Sequence, residues 1–208
     1  MTNVKAKDKK DHILDVAEVL FANQGFDAVS VRDISKSAEI NLAMISYYFG
    51  SKEKLYEAII NRKLITDENI RLEVDNLDSY EDKIFFFFFL YIKQSFENRK
   101  FQNIIFREMS LNQRTLMADS IANQIHKNFS LITEIIRMGI TKKEFRNVDI
   151  ELTVMSIIGI IKMYTTSGSM ACKFTHAANS KEAYNTEHKT RLKKHLRELL
   201  TNHLILKK

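Results

Sequence analysis

Along the first sixty residues the apolar positions fall into short helical stretches rather than alternating strands. Ile13, Val16, Ala17, Leu20 and Phe21 recur at the spacing of one helix face, and Gly25 stands where that helix would end in the left-handed conformation. Residues 30–55, SVRDISKSAEINLAMISYYFGSKEKL, then hold three closely spaced helix starts. Ser30 with Asp33 makes a capping box, flanked by Val29 and Ile34 as a hydrophobic staple, and the helix it opens should end near Ala38. Asn41 is the next cap, with Ile40 and Ile45 in the same staple relation and Ile45 and Phe49 on one buried face. Ser51, after Gly50, is the third, so a helix starts at Lys52 and runs through Leu55, Ala58 and Ile59.

Further on, the pattern predicts one long helix over 52–77, bending on its way, then helices over 80–97, 101–110 and 115–138, the last ending near Gly139. Two more are expected over 149–167 and 187–206, separated by a loop containing Asn179, Ser180 and Asn185. The chain has no proline, only five glycines and 45% hydrophobic residues in 208, which favours an all-α fold over a turn-rich β fold. The reading is a three-helix head, residues 8–65, and a larger helical body, residues 66–208, about nine helices together.

A compact head of this kind is a helix-turn-helix. Its second motif helix would lie in the DNA major groove with Asn41, Leu42, Ala43 and Met44 at the base edges. The elements LFANQGFDAVSVRDISKSA and INLAMISYYFGSKEKLYEAI, in this order near the N-terminus, resemble those of the TetR-type (TetR/AcrR) transcriptional regulators over residues 8 to 65. The resemblance implies phosphate contacts from Ser30, Tyr47 and Lys52, and base or groove contacts from Leu42, Ala43 and Tyr48. Two departures stand out: Glu39 occupies a turn position that is usually glycine in that family, and Ser46, Tyr48 and Leu42 replace its commoner residues. Base preference therefore does not transfer from relatives.

Ile34, Ile40, Ile45 and Phe49 pack the head whatever its function. Tyr47 and Tyr48 are adjacent on a helix and cannot both face inward, so at least one is expected to face DNA, with Ser46 on the same surface. Lys52 at a helix N-terminus opposes the helix dipole, which points to an anionic partner outside the chain.

The net charge of +6 and pI near 9.2 suggest nucleic acid, yet residues 1–60 hold eight Lys or Arg against nine Asp or Glu, a difference of −1. From Lys173 onward nine basic and three acidic residues give +6, read here as a solvated helix face. Phosphate contacts fall to Lys5, Lys7, Lys9 and Lys10 of an N-terminal arm with Arg32, Lys36 and Lys52, which predicts a moderate salt dependence. One cysteine, Cys172, and no N-terminal apolar signal segment point to a reduced cytoplasmic compartment. The apolar cluster 84–90 is too short to span a bilayer.

Phe85 to Phe89 are apolar on every side of a helix, so they fill a core or line a ligand cavity. In the second case Phe88, Phe106, Met109, Phe129, Met155 and Tyr164 would line it, with Gln124 or His126 as polar anchors. Six scattered histidines form no metal-ligand spacing, and no metal or cofactor is expected. Leu192, Leu196, Leu199 and His203 follow a four-three-four spacing, and Ser156 and Gly159 allow close approach on the preceding helix. The resemblance implies that these two helices form a four-helix dimer interface; intramolecular packing of the same stripes is the other reading.

The expected function is a homodimeric, sequence-specific transcriptional regulator, in that family usually a repressor, which leaves a palindromic operator when a small apolar or amphipathic effector binds the body. The alternatives are an all-helical small-molecule-binding protein or enzyme, and a sequence-independent DNA-packaging protein. No paired carboxylates in an apolar setting, glycine-rich loop or His/Cys constellation supports an enzyme, and a head of neutral charge argues against packaging.

Overall fold

The computed structural model describes residues 2–63, 68–110 and 115–206. Among them helices are the only extended regular elements: α1 Thr2–Gln24, α2 Val31–Ser37, α3 Leu42–Phe49, α4 Lys52–Lys63, α5 Glu68–Asp75, α6 Tyr80–Glu97, α7 Arg99–Ser110, α8 Thr115–Thr141, α9 Ile150–Thr166, α10 Gly168–Thr175, α11 Ser180–Ala183 and α12 Thr186–Leu204. Twelve described helices stand where about nine were expected. The chain divides into two compact units, one of Met1–Ile65 with Asn103–Ala122, the other of Thr66–Gln102 with Asn123–Lys208.

In the first unit the capping signals set the helix starts. The Ser30 hydroxyl accepts from the Asp33 N–H at 3.1 Å, and the Asp33 carboxylate accepts from both the Ser30 N–H at 2.8 Å and its hydroxyl at 2.6 Å. Asn41 Oδ1 accepts from the Ala43 N–H at 2.9 Å, and Ser51 Oγ from that of Lys54 at 3.2 Å. Between α2 and α3 the chain turns in a Schellman motif, with the Ile40 N–H on the Ser35 carbonyl at 3.0 Å and that of Glu39 on Lys36 at 3.3 Å. Glu39 takes φ 53° to make it, the conformation that glycine would adopt freely. Ile13, Ala17, Phe21, Val29, Ile34, Ile45, Leu55 and Ile59 are buried and hold α1 to α4 together. Arg62 adds a charged brace from α4 to α1, 2.7 Å from Asp15 and 3.2 Å from Glu18. Inside, the Tyr56 hydroxyl donates to Glu108 at 2.8 Å.

In the second unit α6 packs on α5, α9 and α12. Phe85, Phe87 and Phe88 are buried in one core with Ile92, Ile136, Ile157, Ile161, Leu192, Leu196, Leu200 and Leu204, while Phe86 and Phe89 lie partly buried against it. The phenylalanine run is thus core. Arg197 and Lys193 of α12 cover its outer edge, the Arg197 guanidinium 4.1 Å from the Phe85 ring centre and the Lys193 ammonium 5.1 Å from that of Phe89.

Several expected elements differ. The 52–77 stretch is described as two helices, α4 and α5, with residues 64–67 outside the described residues. Helix α8 does not stop at Gly139 but continues to Thr141, because Lys143 supplies the left-handed turn at φ 60° and the Glu144 N–H closes on the Gly139 carbonyl at 2.9 Å. Gly139 serves packing instead, since the Phe145 ring lies where its Cβ would be. The expected polar loop is mostly helical: α10 and α11 pack on each other through Ala171, Ala177 and Ala183, and Asn179 and Asn185 are N-caps.

Candidate nucleic-acid interface

Helix α3 turns Ile45 and Phe49 into the head and leaves Leu42, Ala43, Ser46 and Tyr47 outside. Its outer surface is therefore one stripe at three-and-four spacing, with Leu42 40% and Tyr47 83% exposed. A phenol ring so far from any core costs apolar exposure without a folding return. Tyr48 is half-buried, its ring set edge-on to Tyr47 at 5.2 Å between centres, so of the two tyrosines Tyr47 is the outward one. Met44 is half-buried and Asn41 exposed at the cap.

On α2, Ser30, Arg32 and Lys36 are exposed. Asp33 is exposed too, and the Ser30 hydroxyl and N–H hold its carboxyl below the usual range, so it stays ionised within the cap. Lys52 has a partner inside the chain: its ammonium sits 4.2 Å above the centre of the Phe26 ring. The ring face offsets part of the unfavourable helix end from within the chain. Lys10 lies over Phe49 in the same manner at 5.6 Å, a contact that no local spacing signals. Lys5 and Lys7 carry side chains outside the described residues.

The residues of the expected cavity set differ widely in exposure. Phe88 is fully buried in the core and Phe129 and Tyr164 are half-buried, but Phe106 is 51% and Met155 67% exposed, and His126 is exposed as well. Phe106, His126 and Met155 therefore line no enclosed site, since an apolar spacing shows that a face exists and not what covers it. The side chains of Met109 and Gln124 lie outside the described residues.

The proposed partner-facing stripe on α12 also needs correction. Leu192 and Leu196 are buried within their own unit, and Leu199 packs partly against the same core. His203 Nε2 lies 3.0 Å from the Thr153 hydroxyl. Ser156 and Gly159 on α9 are exposed, and nothing lies within 4 Å of a Cβ built at Gly159. Among the described residues no three His, Cys, Asp or Glu side chains could hold a metal, and no helix is long and apolar enough to cross a membrane.

A three-helix head with a capped second motif helix presenting a bare outer face is a helix-turn-helix DNA-binding domain. Residues 13–59 match the family model of the bacterial regulatory proteins, tetR family, and the chain is similar to transcriptional regulators of that type. It is 26% identical over 192 residues to the HTH-type negative transcriptional regulator IcaR of the Staphylococcus aureus biofilm operon icaADBC, covering 86% of this chain and 94% of that one. Its fold is similar to that of the TetR family transcriptional regulator PfmR from Thermus thermophilus, with a TM-score of 0.70, 18% identity and coverage of 95% and 97%. It is also similar to the ketosteroid transcriptional regulator KstR2 of Mycobacterium tuberculosis, with a TM-score of 0.69, 18% identity and coverage of 95% of each chain.

Proposed function

We propose that this protein is a cytoplasmic repressor that binds a roughly palindromic operator as a homodimer and is released by a small apolar or amphipathic effector bound in its body. The observation that carries the reading is the bare face of α3: Leu42, Ala43, Ser46 and Tyr47 stand exposed on a head whose other large apolar side chains are buried or half-buried. That IcaR is a negative regulator supports the sign. Asn41, Leu42, Ala43 and Met44 meet base edges at the start of α3, and Tyr47 and Ser46 follow one turn later. Ser30, Arg32, Lys36 and Lys52 flank them on phosphates, with Tyr48 supporting Tyr47 from behind. A twofold dimer would place two such helices on two half-sites. The effector would act by binding better to the conformation that does not fit the operator.

Selection from a random duplex library at near-physiological salt tests this directly. An enriched inverted repeat, bound by two chains and lost in Tyr47→Ala without loss of fold, supports the reading. A pool with no repeat, or one bound equally by Tyr47→Ala, overturns it in favour of a small-molecule-binding protein that no longer reads an operator.

A further inference from the structure

Four side chains from three helices of the second unit bring hydrogen-bond donors together inside an apolar surround. Lys162 comes from α9, Gln102 from α7, and Tyr91 and Ser95 stand one turn apart on α6. The Lys162 ammonium donates to Gln102 Oε1 and lies 5.9 Å from the centre of the Tyr91 ring. Among the described residues no carboxylate forms an ion pair with it, and burial alone pulls its pKa from 10.5 down to about 8. It remains mostly protonated at neutral pH, a cation held in the protein with one neutral acceptor. Gln102 is 7% exposed and Ser95 fully buried, its hydroxyl having no partner beyond the Tyr91 phenol one turn away. Burial also pushes the Tyr91 phenol above its ordinary range, so it keeps its proton. Phe129 lies edge-on to Tyr91 at 5.6 Å, and Phe88, Ile92 and Ile161, buried in the core of the same unit, flank Tyr91 and Lys162 along α6 and α9.

The donor inventory names the missing partner. An ammonium has no acceptor, so Gln102 must turn its oxygen to Lys162, which leaves its NH2 as a further donor. Two ammonium N–H groups, that amide and whichever hydroxyl of the Tyr91–Ser95 pair is left free to donate give several donors with one positive charge, against which only the two hydroxyl oxygens accept. Such a set suits a monoanion rich in acceptors. A phosphate dianion would need a second cation, and Arg99 on the neighbouring helix is already engaged, with its Nε on the Thr165 carbonyl and its guanidinium stacked 3.3 Å from the Tyr184 ring centre.

We propose that Lys162, Gln102, Ser95 and Tyr91 form a binding site for the carboxylate of an amphiphile whose apolar part lies against Phe88, Ile92, Phe129 and Ile161. The proposal rests on the effector reading above and assigns the effector its chemical class: a monocarboxylate with a hydrocarbon body. The pull of Lys162 on a carboxylate in this low-dielectric setting supplies selectivity over neutral molecules of the same shape.

Calorimetric titration of the full-length protein with straight-chain alkanoates from octanoate to palmitate, each paired with the alkanol of the same length, tests it. The expected result is at least a tenfold preference for one or more alkanoates over their alkanols. Lys162→Met should abolish that preference while leaving alkanol affinity within about twofold, and Gln102→Leu should reduce it by a smaller factor. Should Lys162→Met fail to fold by circular dichroism, Lys162→Gln, which keeps a polar stem and removes the charge, provides the same comparison. Equal affinity for the paired alkanoates and alkanols, no binding of any alkanoate, or a preference that survives Lys162→Met overturns the site. Operator binding is read in the same samples. An alkanoate that binds through Lys162 but leaves operator affinity unchanged sustains the site and sinks the effector reading, whereas release by an alkanol as strong as by its alkanoate does the reverse.

Discussion

Glu39 sits in a left-handed backbone conformation that glycine would adopt at lower conformational cost. The Schellman turn forms regardless, because its two backbone hydrogen bonds and the burial of Ile34 and Ala38 on one side and Ile45 on the other fix the path. An L-residue in that region is disfavoured by roughly 1–2 kcal/mol, part of which is returned as the greater unfolded-state freedom of glycine. Glu39→Gly is therefore expected to stabilise the head by about 0.5–1 kcal/mol, read as a higher denaturant midpoint with unchanged slope. An unchanged or lower midpoint would show that the Glu39 side chain holds a compensating contact. That a residue other than glycine stood at this turn was legible in the sequence. The placement of Lys162 was not: one lysine in IELTVMSIIGIIKMYTT can as easily reach solvent along its own stem, and only the packing of α6, α7 and α9 decides against that.

At the scale of elements, the caps explain why α2, α3 and α4 were legible, whereas α10 has no side-chain cap and α11, though capped by Asn179, is too short to show a helical spacing. A cap is a bond between residues three apart, so Ser30 with Asp33 and Asn41 with Ala43 state the helix start within the local sequence. Helix α11 is a single turn that packs through Ala183 on Ala177 and Ala171, six and twelve residues back and chemically unremarkable. Ser30→Ala is expected to cost about 1 kcal/mol, as typical N-caps do. The deficit should itself depend on pH. Because the cap depresses the Asp33 carboxyl below its unfolded value, its contribution is present above about pH 4 and lost as pH falls through the lowered folded value. Unfolding midpoints of wild type and Ser30→Ala should thus draw closer in acid, the remaining gap being the lost bond from the Asp33 N–H to the Ser30 hydroxyl, and a constant gap down to pH 2 would place the whole loss there. Helix α8 gives the opposite lesson about local rules. Helix propensity alone says that Gly139→Ala gains about 1 kcal/mol, but the new Cβ would overlap the Phe145 ring, whose backbone is pinned by its bridge to Ile205. Overpacking wins: the substitution should destabilise by about 1–3 kcal/mol in urea titration.

For the whole molecule, the decisive surface is the outer face of α9. Leu152, Met155, Ser156, Gly159 and Met163 follow one another at three-and-four spacing, and all are exposed, Met155 by 67%. The sequence pointed to Ser156 and Gly159 but placed the partnering leucines of α12 on the same surface, whereas Leu192 and Leu196 complete the inner core that α6 covers. Spacing reports that a helix has an apolar face; α9 has two, and only the packed core shows which one remains. A continuous stripe with small residues at its centre admits a second helix at close range, and a second copy would cover it by twofold symmetry. Met155→Glu places a charge in that contact without touching the core, so it is expected to leave the thermal unfolding of the fold within about 0.5 kcal/mol while shifting sedimentation from dimer to monomer. Because two half-sites bound by one dimer gain from linkage that two separate heads lack, operator affinity should fall by at least a hundredfold while single half-site affinity stays unchanged. A Met155→Glu protein that still sediments as a dimer and holds the operator would move the interface off α9 and remove the argument from the stripe. Tyr47→Ala serves as the mirror control, since it should remove half-site binding and leave the dimer intact.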